Sequence, residues 1–235
     1  MNRFMKSLAP LMLMAMVLFA ASCGKDDDPN NGGGLNGHEY VDLGLPSGTL
    51  WATCNVGATT PEGYGNYFAW GETEPKTSYN WSTYKYWKTD YVQLTKYCSN
   101  SSYGYNGFTD NLTVLQPSDD AATANWGSGW CMPTMEQWDE LFQNTTYTWT
   151  TQNGVSGRLF TASNGRSLFL PAAGFLWDDK LLFVGSDGDY WSSSLNTDCP
   201  YDAWNFYFDS GSYDVDGCYR CFGQCVGAVR AARHN

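Results

Sequence analysis

The sequence predicts an α+β domain with long irregular loops. Three observations carry that reading. Charged residues are 16% and aromatic residues 17% of the 235-residue chain, alongside 25 glycines. That balance favours turns and ring contacts over long charged helices. Two short segments in the middle of the chain have the form of helices. Between Gly188 and Arg230, large apolar residues alternate with a chemically mixed set, the period-2 mark of strands with one face buried and one open.

The chain opens with Arg3 and Lys6, an apolar run from Leu8 to Ala21, and Ala20-Ala21-Ser22 before Cys23. Residues 1–22 therefore read as a signal peptide, the run being shorter than the ~20 apolar residues of a membrane span. A cysteine directly after small residues resembles a bacterial lipoprotein signal. The resemblance implies lipidation of Cys23; an ordinary secretory signal is the alternative. Residues 23–37, with Asp26-Asp27-Asp28 and a glycine-rich stretch, read as a flexible acidic tether. An acidic run beside such a cysteine resembles the surface-export signal of Bacteroidetes lipoproteins. It implies an outer-membrane protein, lipid-anchored and facing the cell exterior. One domain is expected over residues 38–235.

Within it, Glu39–Leu43 and Leu50–Cys54 read as strands around the turn Pro46-Ser47-Gly48-Thr49. Residues 57–108 lack a clear period and read as loops pinned by aromatics. Asp119–Trp126 reads as a short helix. A second starts at Thr134, where Thr134 and Gln137 form a capping box and Met135, Trp138, Leu141 and Phe142 share one face. Ser167–Pro171 and Tyr190–Ser194 read as buried strands. In the closing stretch the expected buried set is Trp204, Phe206, Phe208, Tyr213, Val215, Val226 and Ala228. The expected open set is Asn205, Tyr207, Asp209, Ser212, Asp214, Asp216, Cys225 and Gly227.

A net charge of −11 with no Lys/Arg cluster argues against nucleic acid, which needs a basic face. Cys218-x2-Cys221-x3-Cys225 has the look of a metal or redox site. However, the histidines are His38 and His234, at the two ends of the domain, so no fourth ligand is at hand. A Cys218–Cys221 or Cys221–Cys225 disulfide is the more plausible use outside the cytoplasm. The dispersed aspartates between Asp187 and Asp216 read as solvated rather than as a calcium site. No cofactor and no catalytic residue are expected.

Several motifs together resemble the Fibrobacter succinogenes major paralogous domain family. They are Asp42-Leu43-Gly44-Leu45-Pro46-Ser47-Gly48-Thr49-Leu50-Trp51-Ala52, Tyr67-Phe68-Ala69-Trp70-Gly71-Glu72, Trp130-Cys131-Met132-Pro133-Thr134, Leu170-Pro171-Ala172-Ala173-Gly174 and Tyr190-Trp191-Ser192-Ser193-Ser194. The closing Gly223-Gln224 with Val226 and Ala228-Val229-Arg230 completes the pattern. The resemblance implies a C-type-lectin-like fold of the formylglycine-generating-enzyme kind, with twisted antiparallel sheets, two short helices and long loops. Family members tend to close on Arg-Tyr-Tyr-Gly-Gln-Ser-Val-Arg-Ala-Val-Arg. Here Cys221, Phe222, Cys225 and Gly227 depart from it, each by a change reachable through one adenine.

Adenine-directed change at one end of a gene is the mark of diversity-generating retroelements, and this chain resembles one of their variable proteins. The candidate variable, ligand-binding positions over about 187–230 are Asp187, Asp189, Asp198, Cys199, Tyr201, Asp202, Asn205, Tyr207, Asp209, Ser212, Asp214, Asp216, Gly217, Cys218, Tyr219, Cys221, Phe222, Cys225 and Gly227. The expected function is binding of an external protein or glycan by exchangeable side chains on a frame that includes Trp191 and Trp204. On that reading Trp204→Ala unfolds the domain. A non-variable glycan-binding or cell-envelope module is the alternative, and a formylglycine-generating-type enzyme using Cys221 and Cys225 is a third.

Overall fold

The computed structural model describes residues 34–88 and 93–231. The signal segment, Cys23 and most of the tether lie outside the described residues. The elements are β1 (Gly34–Leu35), β2 (His38–Val41), β3 (Thr49–Ala52), α1 (Ala121–Trp126), α2 (Met135–Gln143), β4 (Thr145–Gln152), β5 (Val155–Ala162), β6 (Ser167–Pro171), β7 (Phe175–Trp177), β8 (Lys180–Leu182), β9 (Gly188–Leu195), β10 (Asp202–Phe208), β11 (Tyr213–Tyr219) and β12 (Val229–Ala231). Strand makes up 38% of the described residues and helix 11%. The expected α+β class is therefore corrected to a mostly-β chain with two short helices.

The physical reasons for the difference are local. Gly127 ends α1 after six residues and Asn144 ends α2 after nine. Meanwhile Thr-rich residues 145–152 pair with β5 across Asn153-Gly154, both at positive φ (48° and 86°). Asn-Gly is a strong hairpin signal, and the sequence reading passed over it. Gly34–Leu35, read as tether, pairs with β2 around Asn36-Gly37.

The strands form antiparallel sheets in the orders β1-β2-β3-β12, β4-β5-β6 and β11-β10-β9, with β7-β8 as a separate hairpin. β12 returns the end of the chain to its start, with Val229 opposite Trp51. α2 begins where the capping box places it: Gln137 N–H bonds Thr134 Oγ1, and the Gln137 side chain accepts from Thr134 N–H at 3.0 Å. The helix buries Trp138 and Leu141, and Trp138 stacks on Phe206 at 4.8 Å.

Two hydrophobic cores result, and β9 divides them. Tyr190 packs with Trp51, Trp138, Phe160, Phe206 and Phe208. Its neighbour Trp191 packs on the other side with Phe68, Trp70, Tyr97 and Trp130, supplied by the aromatic loops. Every residue of β9 except Ser194 is buried. A three-stranded sheet whose inner strand is covered on both faces cannot present an open face along its whole length; exposure is concentrated at its free edge, β11, with parts of β10.

The residues after β11 also run through the interior. Phe68 and Gln224 exchange backbone bonds at 2.9 and 3.0 Å, Trp191 N–H reaches Cys225 O, and Ala52 and Val56 N–H reach Ala228 O and Val226 O. This segment acts as a central strand held on both sides, which sets the surroundings of the candidate site.

Candidate functional site

The β10–β11 hairpin pairs Tyr207 with Asp214, Asn205 with Asp216 and Asp202 with Tyr219. Exposure rises from β9 outward. β10 alternates between buried and half-buried, and on β11 Tyr213, Asp214, Asp216 and Tyr219 are exposed. Asp198 and Ser212 are exposed as well. Asp187, Cys199, Tyr201, Asp202, Tyr207, Asp209, Gly217, Cys218 and Phe222 are half-buried. These positions together form the edge and rim of the sheet.

Five candidates do not reach the surface: Asp189, Asn205, Cys221, Cys225 and Gly227 are all buried, so their expected display role is corrected. For Cys221, Cys225 and Gly227 the reason is the interior path of the closing segment, where small weakly polar residues pack well. For Asn205 it is a register shift between Ala203 and Asn205 against β9, which breaks the inferred alternation. The same shift leaves Trp204 half-exposed and outside both cores, correcting its expected frame role. Tyr213, expected inside, is 43% exposed while stacking on Phe142.

The hairpin ends are fixed by side chains. Asp209 Oδ1 accepts the N–H groups of Gly211 and Ser212, both at 2.6 Å, and Oδ2 accepts from Tyr207 Oη. The Gly211 and then the Ser212 amide hold the Asp209 carboxyl down at about 2. Arg158 reaches across from β5, donating to Asp209 O and Ser212 O at 3.0 and 2.7 Å. At the other end Arg220 is fully buried. It donates to Tyr84 Oη, Tyr97 O, Pro200 O and Lys96 O at 2.9–3.1 Å, over the ring of Trp70. Asp209 and Ser212 are thus turn-forming residues more than display residues.

An arc of ring contacts borders the hairpin. Phe222 stacks on Phe175, meets Trp177, and touches Tyr219, which in turn meets Tyr201 and Trp81. Trp177 and Phe183 are more than half exposed. Trp81, Trp177 and Phe183 are rim residues that sequence reasoning missed. The signal was present in the β7–β8 segment, whose apolar residues flank Asp178-Asp179, a turn sequence. Arg158 and Arg220 were missed as clamps because a lone arginine, in β5 or just after β11, carries no local pattern.

Beneath the rim, Asp189 Oδ2, Asn205 Oδ1, Asp202 Oδ1 and both polar atoms of Gln224 are buried without a hydrogen bond. Burial, with the charge of Asp187 second, raises the Asp189 carboxyl to about 7. Burial likewise raises the thiols, Cys221 to about 12 and Cys218 and Cys225 well upward. Thiolate chemistry is disfavoured there at neutral pH. Cys218, Cys221 and Cys225 are not bridged to one another, so the expected disulfide is corrected. Among the described residues no three His, Cys, Asp or Glu side chains gather as metal ligands.

Comparison with protein-family models, with curated protein sequences and with solved structures gave no match. No solved structure supports the C-type-lectin-like fold that the sequence resemblance implied. What the site offers chemically is an acidic edge, Asp214 and Asp216 beside Asp202, framed by exposed rings. Such a surface supplies hydrogen-bond acceptors and flat apolar area at low entropic cost.

Proposed function

We propose that this chain is a lipid-anchored, outward-facing binding protein. It recognises an external protein or glycan through the β10–β11 edge and its aromatic rim, and its exposed side chains are exchanged by adenine-directed change in the gene. One observation carries the reading: a buried strand, a half-buried strand and an exposed edge strand lie side by side, with the edge strand clamped at both ends by Arg158 and Arg220. Surface substitutions away from packed or bonded groups usually change stability by less than ~0.5 kcal/mol. Asp214 and Asp216 bond only the amides of the residues that follow them, and Tyr219 is 47% exposed beside its ring neighbours, so their outward atoms are free to follow the ligand.

The test is to sequence the end of this gene from many cells of one culture, with the adjoining DNA. The proposal expects adenine-restricted substitutions in the codons of Asp214, Asp216, Tyr219 and their rim neighbours. It also expects a reverse transcriptase gene and a near-identical template repeat nearby. An invariant gene with neither feature leaves the second reading, a non-variable glycan-binding module. The exposed rings of Trp177 and Tyr219 favour that reading, because aromatic faces serve as platforms for sugars.

A further inference from the structure

Arg230 lies in β12, a different sheet from the display hairpin, and lines an open cleft of about 670 Å³ with Asn36, Thr123, Ser128, Trp130 and Cys131. It is 8% exposed. Its guanidinium sits 5.0 Å from the Tyr40 ring and 6.0 Å from that of Trp130. Those faces attract the cation but accept no hydrogen bond in its plane. Nε is buried with no hydrogen bond, and Arg230 is in none of the ion pairs among the described residues.

The other buried arginines differ. Arg220 uses Nε, Nη1 and Nη2 in four hydrogen bonds, and Arg158, though its Nη1 is unpartnered, uses Nε and Nη2 on two carbonyls, whereas no carbonyl or carboxylate among the described residues is bonded to Arg230. A buried donor without a partner costs about 1–3 kcal/mol, and more when it is charged. A guanidinium offers only donors, in a fork that matches an oxyanion. The cleft opens that fork to a small ligand in a chain otherwise rich in negative charge.

We propose that this cleft binds a small oxyanion, a carboxylate or a phosphate, held by Arg230. The anion is either a free solute or the headgroup of an anionic lipid or glycolipid. Neither source depends on the display reading, which stands or falls separately.

The purified chain is titrated by calorimetry at constant ionic strength with inorganic phosphate and with glucuronate, using chloride as the control. Phosphatidylglycerol vesicles form a separate arm, scored as the difference between wild type and Ser128→Tyr. Ser128 is exposed, so that variant obstructs the cleft without disturbing the fold. Saturable binding of either free anion, weakened about tenfold or more in both Arg230→Gln and Ser128→Tyr, supports a solute site. A vesicle difference with silent free anions assigns the site to a headgroup. Arg230→Lys, which keeps charge but loses the fork, falls between wild type and Arg230→Gln. Absence of binding in all three arms, or equal binding by wild type and Ser128→Tyr, overturns the proposal.

Discussion

Arg220 is buried in the interior without a carboxylate partner among the described residues. Four oxygens and the Trp70 face replace its water, and three of those oxygens are backbone carbonyls that a shorter side chain leaves bare. Charged hydrogen bonds contribute about 1.5–3 kcal/mol each. Arg220→Met is therefore expected to lower unfolding free energy by more than ~3 kcal/mol in urea titration, and Arg220→Lys to recover little of it. Trp191→Ala removes a fully buried ring that donates to Phe68 O at 2.7 Å, so a loss of about 3–5 kcal/mol is expected. Trp204→Ala, half-exposed and outside both cores, is expected to cost clearly less.

Asp189 gives the stability a pH dependence. Its folded-state carboxyl stands at about 7, above the ordinary carboxylate value, because burial and then Asp187 disfavour its charge. Between those two values the folded chain keeps a proton that the unfolded chain releases. Stability from this group is complete below the ordinary value and is lost as pH rises through about 7. The shift corresponds to a contribution on the order of 4 kcal/mol. Asp187, Tyr67, Tyr190, Tyr207, Cys218 and Cys225 are the titratable neighbours coupled to it. Denaturant midpoints of the wild-type chain are expected to fall between pH 5 and pH 8, and Asp189→Asn is expected to flatten that slope. An unchanged slope in the variant places the dependence elsewhere.

At the scale of elements, the β10–β11 turn depends on one side chain satisfying two amides. Asp209→Ala is expected to speed hydrogen exchange at Gly211 and Ser212, while the amides of β9 keep their protection. Local chemistry of this kind was partly legible in the sequence. The capping box at Thr134 located α2, and Ser167–Pro171 matched β6 residue for residue, because those signals are complete within a few residues. Asn153-Gly154 was equally legible and was overlooked. The shift between Ala203 and Asn205 was not legible: a bulge depends on how β10 meets β9, and it exchanges the surroundings of Trp204 and Asn205 without any mark in either residue. Gly174, at φ 60°, shows another non-local constraint. A Cβ there would overlap the Leu182 carbonyl, so Gly174→Ala is expected to destabilise the β7–β8 hairpin.

At the scale of the molecule, the alternation that drew attention to residues 188–230 was sound for Phe206 and Phe208 and misleading for Cys225 and Gly227. Period-2 patterning reports which residues are large and apolar. It does not report what covers the other face. Here the loops before α1 supply Phe68, Trp70 and Tyr97 to that face, from ninety or more residues away. On the proposed reading display is confined to the edge strand β11 and its rim, while the interior positions of the same segment are fixed by packing. The central claim is this division between exchangeable edge and fixed interior. A substitution scan of residues 187–230 read out by folded-protein abundance tests it most directly. The account predicts broad tolerance at Asp198, Asp214, Asp216 and Tyr219, and intolerance at Trp191, Phe206, Arg220, Gln224, Cys225 and Gly227. Equal tolerance across both groups, or intolerance at Asp214 and Asp216, would contradict it.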